Sequence, residues 1–284
     1  MLSRFDYVRP QALEEALAYL GKNAGTRILA GGTDLMVMLR RNAEMPEHVL
    51  DIKSIPETKQ LEYKPQQGLF IGASVTVNQV AEADFVQKKY SALAQAANSL
   101  ASYQLRNRAT LVGNICNASP GADLSGPLFV YEAKVHIANC QGERIVDINE
   151  FFTGVKKTVL KQGELVIGVS LPDVAVEDVS LYLKQTRIKG HDLGIVGVAA
   201  RLTAKKKCLV AMSAVAPTPI RLTKLEEMIN SQPLTAELAA LAGEEVRKQI
   251  KPISDVRSSA EYRLHVSGVL VKRALTQLLA MGGR

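Results

Sequence analysis

The amino-acid sequence predicts an α+β protein in two or three sub-regions, on three observations. A strand, a helix and a strand surround a glycine turn within the first 55 residues. Three strands lie between Leu181 and Val215, separated only by short polar turns, which favours an antiparallel meander. Three helical patterns then fill the chain towards its end.

The elements follow in order. Pro10 suits the first position of a helix, and Leu13, Ala16, Leu17 and Leu20 recur at helical spacing. Gly25 falls in the loop after it. Residues 27–30 form a short apolar strand, broken by Gly31-Gly32, and Thr33 or Asp34 caps a helix over 35–41. Residues 48–52 are a second buried strand, and 69–73 a third. Thr76 opens a helix, and 90–100 is an Ala-rich one. Residues 101–123, rich in Ser, Asn, Gly and Pro, read as a long irregular stretch, and such loops are usually functional. A helix over 127–132 precedes a hairpin of 133–139 and 143–147 across Cys140-Gln141-Gly142. A strand over 164–171 is closed by Pro172, and 172–178 is a domain boundary. Strands over 181–187, 194–203 and 208–215 come next, then helices over 223–229, 236–249 and 260–280.

Composition narrows the function. The net charge is +7, but the basic residues are dispersed in short clusters such as Lys88-Lys89, Lys156-Lys157 and Lys205 to Lys207. Aromatics are 5% and Trp is absent, so no basic face interleaved with aromatics is offered to nucleic acid. No apolar run approaches the roughly 20 residues of a membrane span. The start, MLSRFDYVRP, lacks the apolar core of a secretory signal, so a cytoplasmic location is expected. Cys116, Cys140 and Cys208 are odd in number and far apart, which argues against a disulfide framework and against an iron–sulfur cluster held by this chain alone. His48, His136, His191 and His265 are equally scattered, and no metal site is expected.

Two segments are candidates for chemistry. In Leu29, Ala30, Gly31, Gly32, Thr33, Asp34 and Leu35, two glycines between a strand and a helix let backbone N–H groups approach a phosphate at a helix start. The competing reading is a tight turn that needs positive φ. Neither a GxGxxG nor a GxxxxGK[ST] pattern occurs, so a nucleotide site here belongs to another fold. The second segment runs from Thr110 through Gly113 and Asn114 to Ser119 and Asp123. Its Asn, Ser and Thr side chains supply uncharged donors, fit for a pyrophosphate or a flavin edge; the competing reading is a polar surface loop. No Ser–His–Asp set or close carboxylate pair is evident, so no catalytic residue is assigned.

AGGTDLM (30–36) and QLRNRATLVGNICNASPGAD (104–123) resemble the two FAD-binding signatures of the medium subunits of the molybdenum hydroxylase family, the carbon monoxide dehydrogenase and xanthine dehydrogenase type. The resemblance continues in KQTRIKGHDLGIVGVAAR (184–201), VAPTPIR (215–221) and YRLHVSGVLVKRAL (262–275). It implies a vanillyl-alcohol-oxidase-type FAD domain over 1–177, with a small βαβ part over 1–56 and a larger α/β part over 57–177. A C-terminal domain over 178–284 would hold a three-stranded antiparallel sheet and helices. It further implies that residues 30–35 and 110–114 hold the pyrophosphate and Asp123 the adenosine end, with Val166 and Lys184 lining the flavin. Partners would be a large molybdopterin-binding subunit and a small [2Fe–2S] subunit, in a dimer of heterotrimers. Electrons would pass from the clusters through FAD to an external acceptor.

One residue departs from the family pattern: Val112 stands where the second signature usually has a glycine. A positive φ or a phosphate contact at that position would weaken the flavin site. Two other readings stand beside the first: a structural subunit with weakened or lost flavin, and a stand-alone flavin oxidoreductase of the same fold.

Overall fold

A computed structural model describes residues 4–43, 45–188 and 190–282. The first three residues and Glu44 of the expected 1–56 region, Lys189 of the third motif and the last two residues of the chain lie outside them.

The first layer is a parallel sheet of β1 (Asp6–Val8), β2 (Arg27–Leu29) and β3 (His48–Asp51), in the order β1-β3-β2. Two helices connect its strands, α1 (Leu13–Lys22) and α2 (Leu35–Arg40). The apolar stripe of α1, Leu13, Ala16, Leu17 and Leu20, is buried as its spacing requires. The helix starts at Leu13, after an extended Ala12, so Pro10 precedes it and is not its first residue.

The second layer is an antiparallel five-stranded sheet. It contains β4 (Leu61–Lys64), β5 (Gly68–Gly72), β6 (Lys134–Asn139), β7 (Gly142–Asp147) and β10 (Leu165–Leu171), in the order β4-β5-β10-β6-β7. A two-stranded ribbon, β8 (Phe152–Gly154) and β9 (Lys157–Thr158), lies between β7 and β10 in the chain. Helices α3 (Val77–Glu82), α4 (Asp84–Lys89) and α5 (Ser91–Ser99) follow β5. Thr76 caps α3 in a reciprocal box with Gln79. The stretch expected to be irregular holds two short helices, α6 (Tyr103–Arg106) and α7 (Leu111–Cys116). Each is started by a hydroxyl: Ser102 accepts from the Leu105 N–H, and Thr110 from the Gly113 N–H. Helices α8 (Ser125–Val130) and α9 (Ile148–Phe151) complete this part.

The third sheet has four strands, where the sequence reading has three: β11 (Val179–Gln185), β12 (Val196–Leu202), β13 (Cys208–Ser213) and a two-residue edge, β14 (Ile220–Arg221). All pairs are antiparallel. Its alternating side chains divide between two cores. Tyr182, Ala199, Leu209 and Ala211 join the core of the first two layers. Leu181, Val198, Ala200, Val210 and Met212 pack with α10 (Thr223–Ile229), α11 (Ala236–Glu245) and α12 (Ala260–Gly282). The helix expected over 236–249 ends at Glu245 and continues only as a 3-10 turn. Among the described residues, no helix is long and apolar enough to cross a membrane.

Candidate functional site: two joined glycine loops

The first loop leaves the carboxyl end of β2 and enters α2, the position in a parallel α/β arrangement where ligands collect. Leu29 ends β2; Ala30, Gly31, Gly32 and Thr33 make the turn; Asp34 is the N-cap residue and Leu35 begins α2. Neither Thr33 nor Asp34 caps the helix through its side chain. Instead the Met36 N–H reaches the Gly32 carbonyl at 2.9 Å, closing the turn on the backbone. Among the described residues, no acceptor takes the N–H groups of Gly31, Gly32, Thr33, Asp34 or Leu35. Successive free N–H groups at a helix start make an anion cradle.

The two glycines have different tasks. Gly32 has φ +74°, so it supplies the left-handed turn. Gly31 supplies room: a Cβ there would lie 2.1 Å from the Arg108 carbonyl oxygen and 2.9 Å from the Ala109 Cα. The two candidate segments, far apart in sequence, therefore meet backbone to backbone.

The second segment is held from behind. Arg106 donates to the carbonyls of Asn98, Leu100 and Ala101 at 3.1, 2.9 and 3.2 Å, and to the Asn78 side chain at 2.9 Å. The Val77 N–H reaches the Ala109 carbonyl at 2.8 Å, tying the start of α3 to the start of α7. Thr110 is buried, its oxygen occupied by the Gly113 N–H at 2.9 Å and its own proton free to donate. A Cβ on Gly113 would come within 2.7 Å of that hydroxyl oxygen, so this glycine protects the cap. The side-chain oxygen of Asn114 is buried without a hydrogen-bond partner. An orphaned buried acceptor is costly and marks a place for a donor from outside the chain.

Val112 lies in the first turn of α7 with ordinary helical backbone and packs into the core at 4% exposure. Its side chain points away from any ligand-facing role, and the strain considered for this position is absent. Val112→Gly should leave flavin affinity within about twofold and lower stability by about 3 kcal/mol, from lost burial plus glycine in a helix. FAD titration and urea unfolding of the variant measure both; tighter binding with higher stability would contradict this account.

At the far end of α7, which spans about 9 Å, the chain turns through Ser119 to Asp123. The Ser119 carbonyl accepts from the Ala122 N–H, and the Pro120 carbonyl from the Ala214 N–H, fastening this turn to the end of β13. Asp123 is buried at 6% exposure. It accepts from the Lys184 ammonium and the Tyr182 hydroxyl, each at 2.8 Å. Burial pushes its carboxyl above the usual range, while Lys184 and Tyr182 pull it back. Lys184 also donates to the Ser99 carbonyl at 3.2 Å and lines an open cleft of about 320 Å³ with Asn98, Ala101, Thr186 and His191. Val166 is buried in β10 beside the bulge between Val166 and Gly168. The structure thus gathers the predicted residues into two groups, the junction of Gly31 with the segment before Thr110 and the Asp123–Lys184 pair, with Val166 in β10.

Known proteins fit this arrangement. Residues 3–174 match the family model described as the FAD binding domain in molybdopterin dehydrogenase, and residues 181–278 that of the CO dehydrogenase flavoprotein C-terminal domain. The class is that of FAD-binding flavoproteins. The chain is 32% identical over 282 residues to the xanthine dehydrogenase FAD-binding subunit of Escherichia coli O157:H7, covering 98% of this chain and 97% of the relative. It is 30% identical over 277 residues to the carbon monoxide dehydrogenase medium chain of Hydrogenophaga pseudoflava, covering 96% of each. A solved carbon monoxide dehydrogenase from Hydrogenophaga pseudoflava, lacking the Mo-pyranopterin moiety of its cofactor, superposes with a TM-score of 0.94 at 30% identity, covering 99% of both chains. The chain belongs to the FAD-binding medium subunits of the molybdenum hydroxylase family, the oxidoreductases of the xanthine and carbon monoxide dehydrogenase type, and its cofactor is FAD. The residues fit it: the run of free N–H groups suits a pyrophosphate, and the orphaned Asn114 oxygen offers an acceptor.

Proposed function

We propose that this chain is the electron-transfer subunit of a molybdenum hydroxylase complex, taking electrons from [2Fe–2S] clusters on a small subunit and delivering them to an external acceptor. A large molybdopterin-binding subunit would carry the substrate chemistry, and the assembly would be a dimer of heterotrimers in the cytoplasm. The observation that carries this reading is near end-to-end similarity to proteins that are themselves an FAD-binding subunit and a medium chain.

Bound FAD accepts and releases electrons singly or in pairs, which lets one- and two-electron partners communicate. The chain's residues bind and orient it. The N–H groups of residues 31–35, with the Thr110 hydroxyl, would receive the pyrophosphate, and the start of α7 over 110–114 would close that sub-site. Asp123 is bonded directly to Lys184, so the two serve one end of the cofactor: with Val166 they line the flavin, and the adenosine end expected for Asp123 is set aside. The FAD-binding part is assigned to 1–177, with sub-regions 1–56 and 57–177 in a vanillyl-alcohol-oxidase-type arrangement, and the C-terminal domain to 178–284. The reading with weakened flavin loses its motive, because Val112 is a helical core residue.

Purified protein should be yellow, carry about one FAD per chain and release it on heating or in acid, since the binding groups are non-covalent. Absorbance of the supernatant after denaturation measures this; colourless protein that takes up no added FAD would contradict it. For the assembly, the chain is tagged and co-expressed with candidate iron–sulfur and molybdenum subunits. Co-elution, with substrate bleaching the flavin only in the complex, is expected. A chain that elutes alone and is bleached directly by substrate would instead be a stand-alone oxidoreductase.

A further inference from the structure

The pair Asp123–Lys184 is carried on a turn and on β11, and a third side chain reaches it from the same strand face. Tyr182 and Lys184 are two residues apart on β11, so both point to the same side of the sheet. Tyr182 is buried at 6% exposure, and its hydroxyl donates to one Asp123 oxygen while Lys184 donates to the other. Ser213, on β13, is buried, and its hydroxyl and the Tyr182 phenol flank the same point beside Gly197.

The sheet makes room for this chain of groups at one position. Lys184 pairs with Gly197 on β12, and Gly197 with Ser213 on β13, so the three form one row across the sheet. A Cβ on Gly197 would lie 2.6 Å from the Tyr182 hydroxyl and 2.4 Å from the Ser213 hydroxyl. The absent side chain is what lets the phenol cross the row and reach Asp123. Burial and the neighbouring Asp123 charge hold the phenol's pKa well above its ordinary range, so the group remains a donor at any physiological pH.

We propose that Tyr182, backed by Ser213 across Gly197, is a positioning residue for FAD: it fixes the plane of the Asp123 carboxylate against Lys184 at the cofactor cleft. A carboxylate gripped at both oxygens cannot swivel, and its remaining lone pairs keep one direction. Ordering that would otherwise fall to the ligand is then already present in the free protein. The proposal rests on the reading that Asp123 and Lys184 belong to the FAD site.

The test uses the full-length chain stripped of flavin and titrated with FAD, with visible circular dichroism of the bound flavin as a second readout. Asp123→Ala calibrates the site and Tyr182→Phe tests the proposal, since phenylalanine keeps the ring and its packing. The expected result is that Tyr182→Phe weakens FAD about tenfold and alters the dichroism, consistent with losing one hydrogen bond to a charged group. Ser213→Ala should shift both readouts the same way by a smaller factor, and it decides the matter if Tyr182→Phe does not fold. If Asp123→Ala weakens FAD while Tyr182→Phe and Ser213→Ala bind it as the unaltered chain does, with the same dichroism, the positioning role is overturned and the site stands. If Asp123→Ala also binds normally, the assignment of Asp123 to the FAD site falls, and the proposal with it.

Discussion

Gly31→Val should abolish measurable FAD binding, with at least about a hundredfold loss of affinity, and should destabilise the chain. The first atom of the new side chain would lie 2.1 Å from the Arg108 carbonyl oxygen and 2.8 Å from the carbonyl carbon. Both are backbone atoms that α6, the Arg106 hydrogen bonds and the Val77–Ala109 bond hold in place. The loops can accommodate it only by moving apart, and overpacking of this kind costs about 1–3 kcal/mol or more. Moving them apart separates the free N–H groups of residues 31–35 from Thr110 and Asn114, so affinity falls further than stability does. Calorimetric FAD titration and thermal unfolding of the flavin-free protein separate the two effects. Normal affinity in a folded variant would place the cofactor away from the junction of the loops.

The second large effect belongs to Arg263, which is far from the cofactor loops in sequence and 1% exposed in α12. Its guanidinium donates to the Ile195 carbonyl at 2.7 Å, the Ala214 carbonyl at 3.0 Å and the Asp255 carboxylate at 2.8 Å. It thereby closes the start of β12 and the end of β13 against α12, and the Ala214 N–H in turn holds the Pro120 carbonyl. Arg263→Met keeps most of the stem's packing but strands two buried carbonyls. At about 1–3 kcal/mol for each stranded group, the expected loss is about 3–5 kcal/mol. Asp255, whose carboxyl Arg257 and Arg263 hold below the usual range, keeps Arg257 and adds little to that loss. Urea unfolding followed by far-ultraviolet dichroism reads the change; a midpoint unmoved by the substitution would refute the clamp.

Where a pattern runs long enough to repeat, the sequence reading and the structure agree. The stripe Leu13, Ala16, Leu17 and Leu20 became α1, and the hairpin around Cys140-Gln141-Gly142 became β6 and β7. The three-residue β1 has two exposed positions and shows no alternation; its Tyr and Val favour a strand, but three residues are too few to display a pattern. The two residues of β14 make a single strand period, so no repeat can be seen. Helices α6 and α7 hide in a stretch rich in Ser, Asn and Gly because their stability comes from hydroxyl caps and tertiary contacts rather than propensity.

The site was legible in parts. Gly31-Gly32 reads as a loop, but nothing in the sequence separates the glycine that turns from the glycine that makes room. The family resemblance points to Lys184 but not to Tyr182, which lies two residues away on the same strand face. Period-two alternation was the available signal. A tyrosine in a strand reads as core until an aspartate from another segment is seen against its hydroxyl.

The most direct measurement of the central claim, that the two glycine loops form one FAD site, is amide hydrogen exchange with and without FAD. The N–H groups of residues 31–35 donate to no acceptor among the described residues, so they should exchange fast in flavin-free protein. On adding FAD, segments over 29–35 and 110–114 should become protected together, at the same FAD concentration. Protection confined to one segment, or falling elsewhere while both loops still exchange freely, would contradict the account.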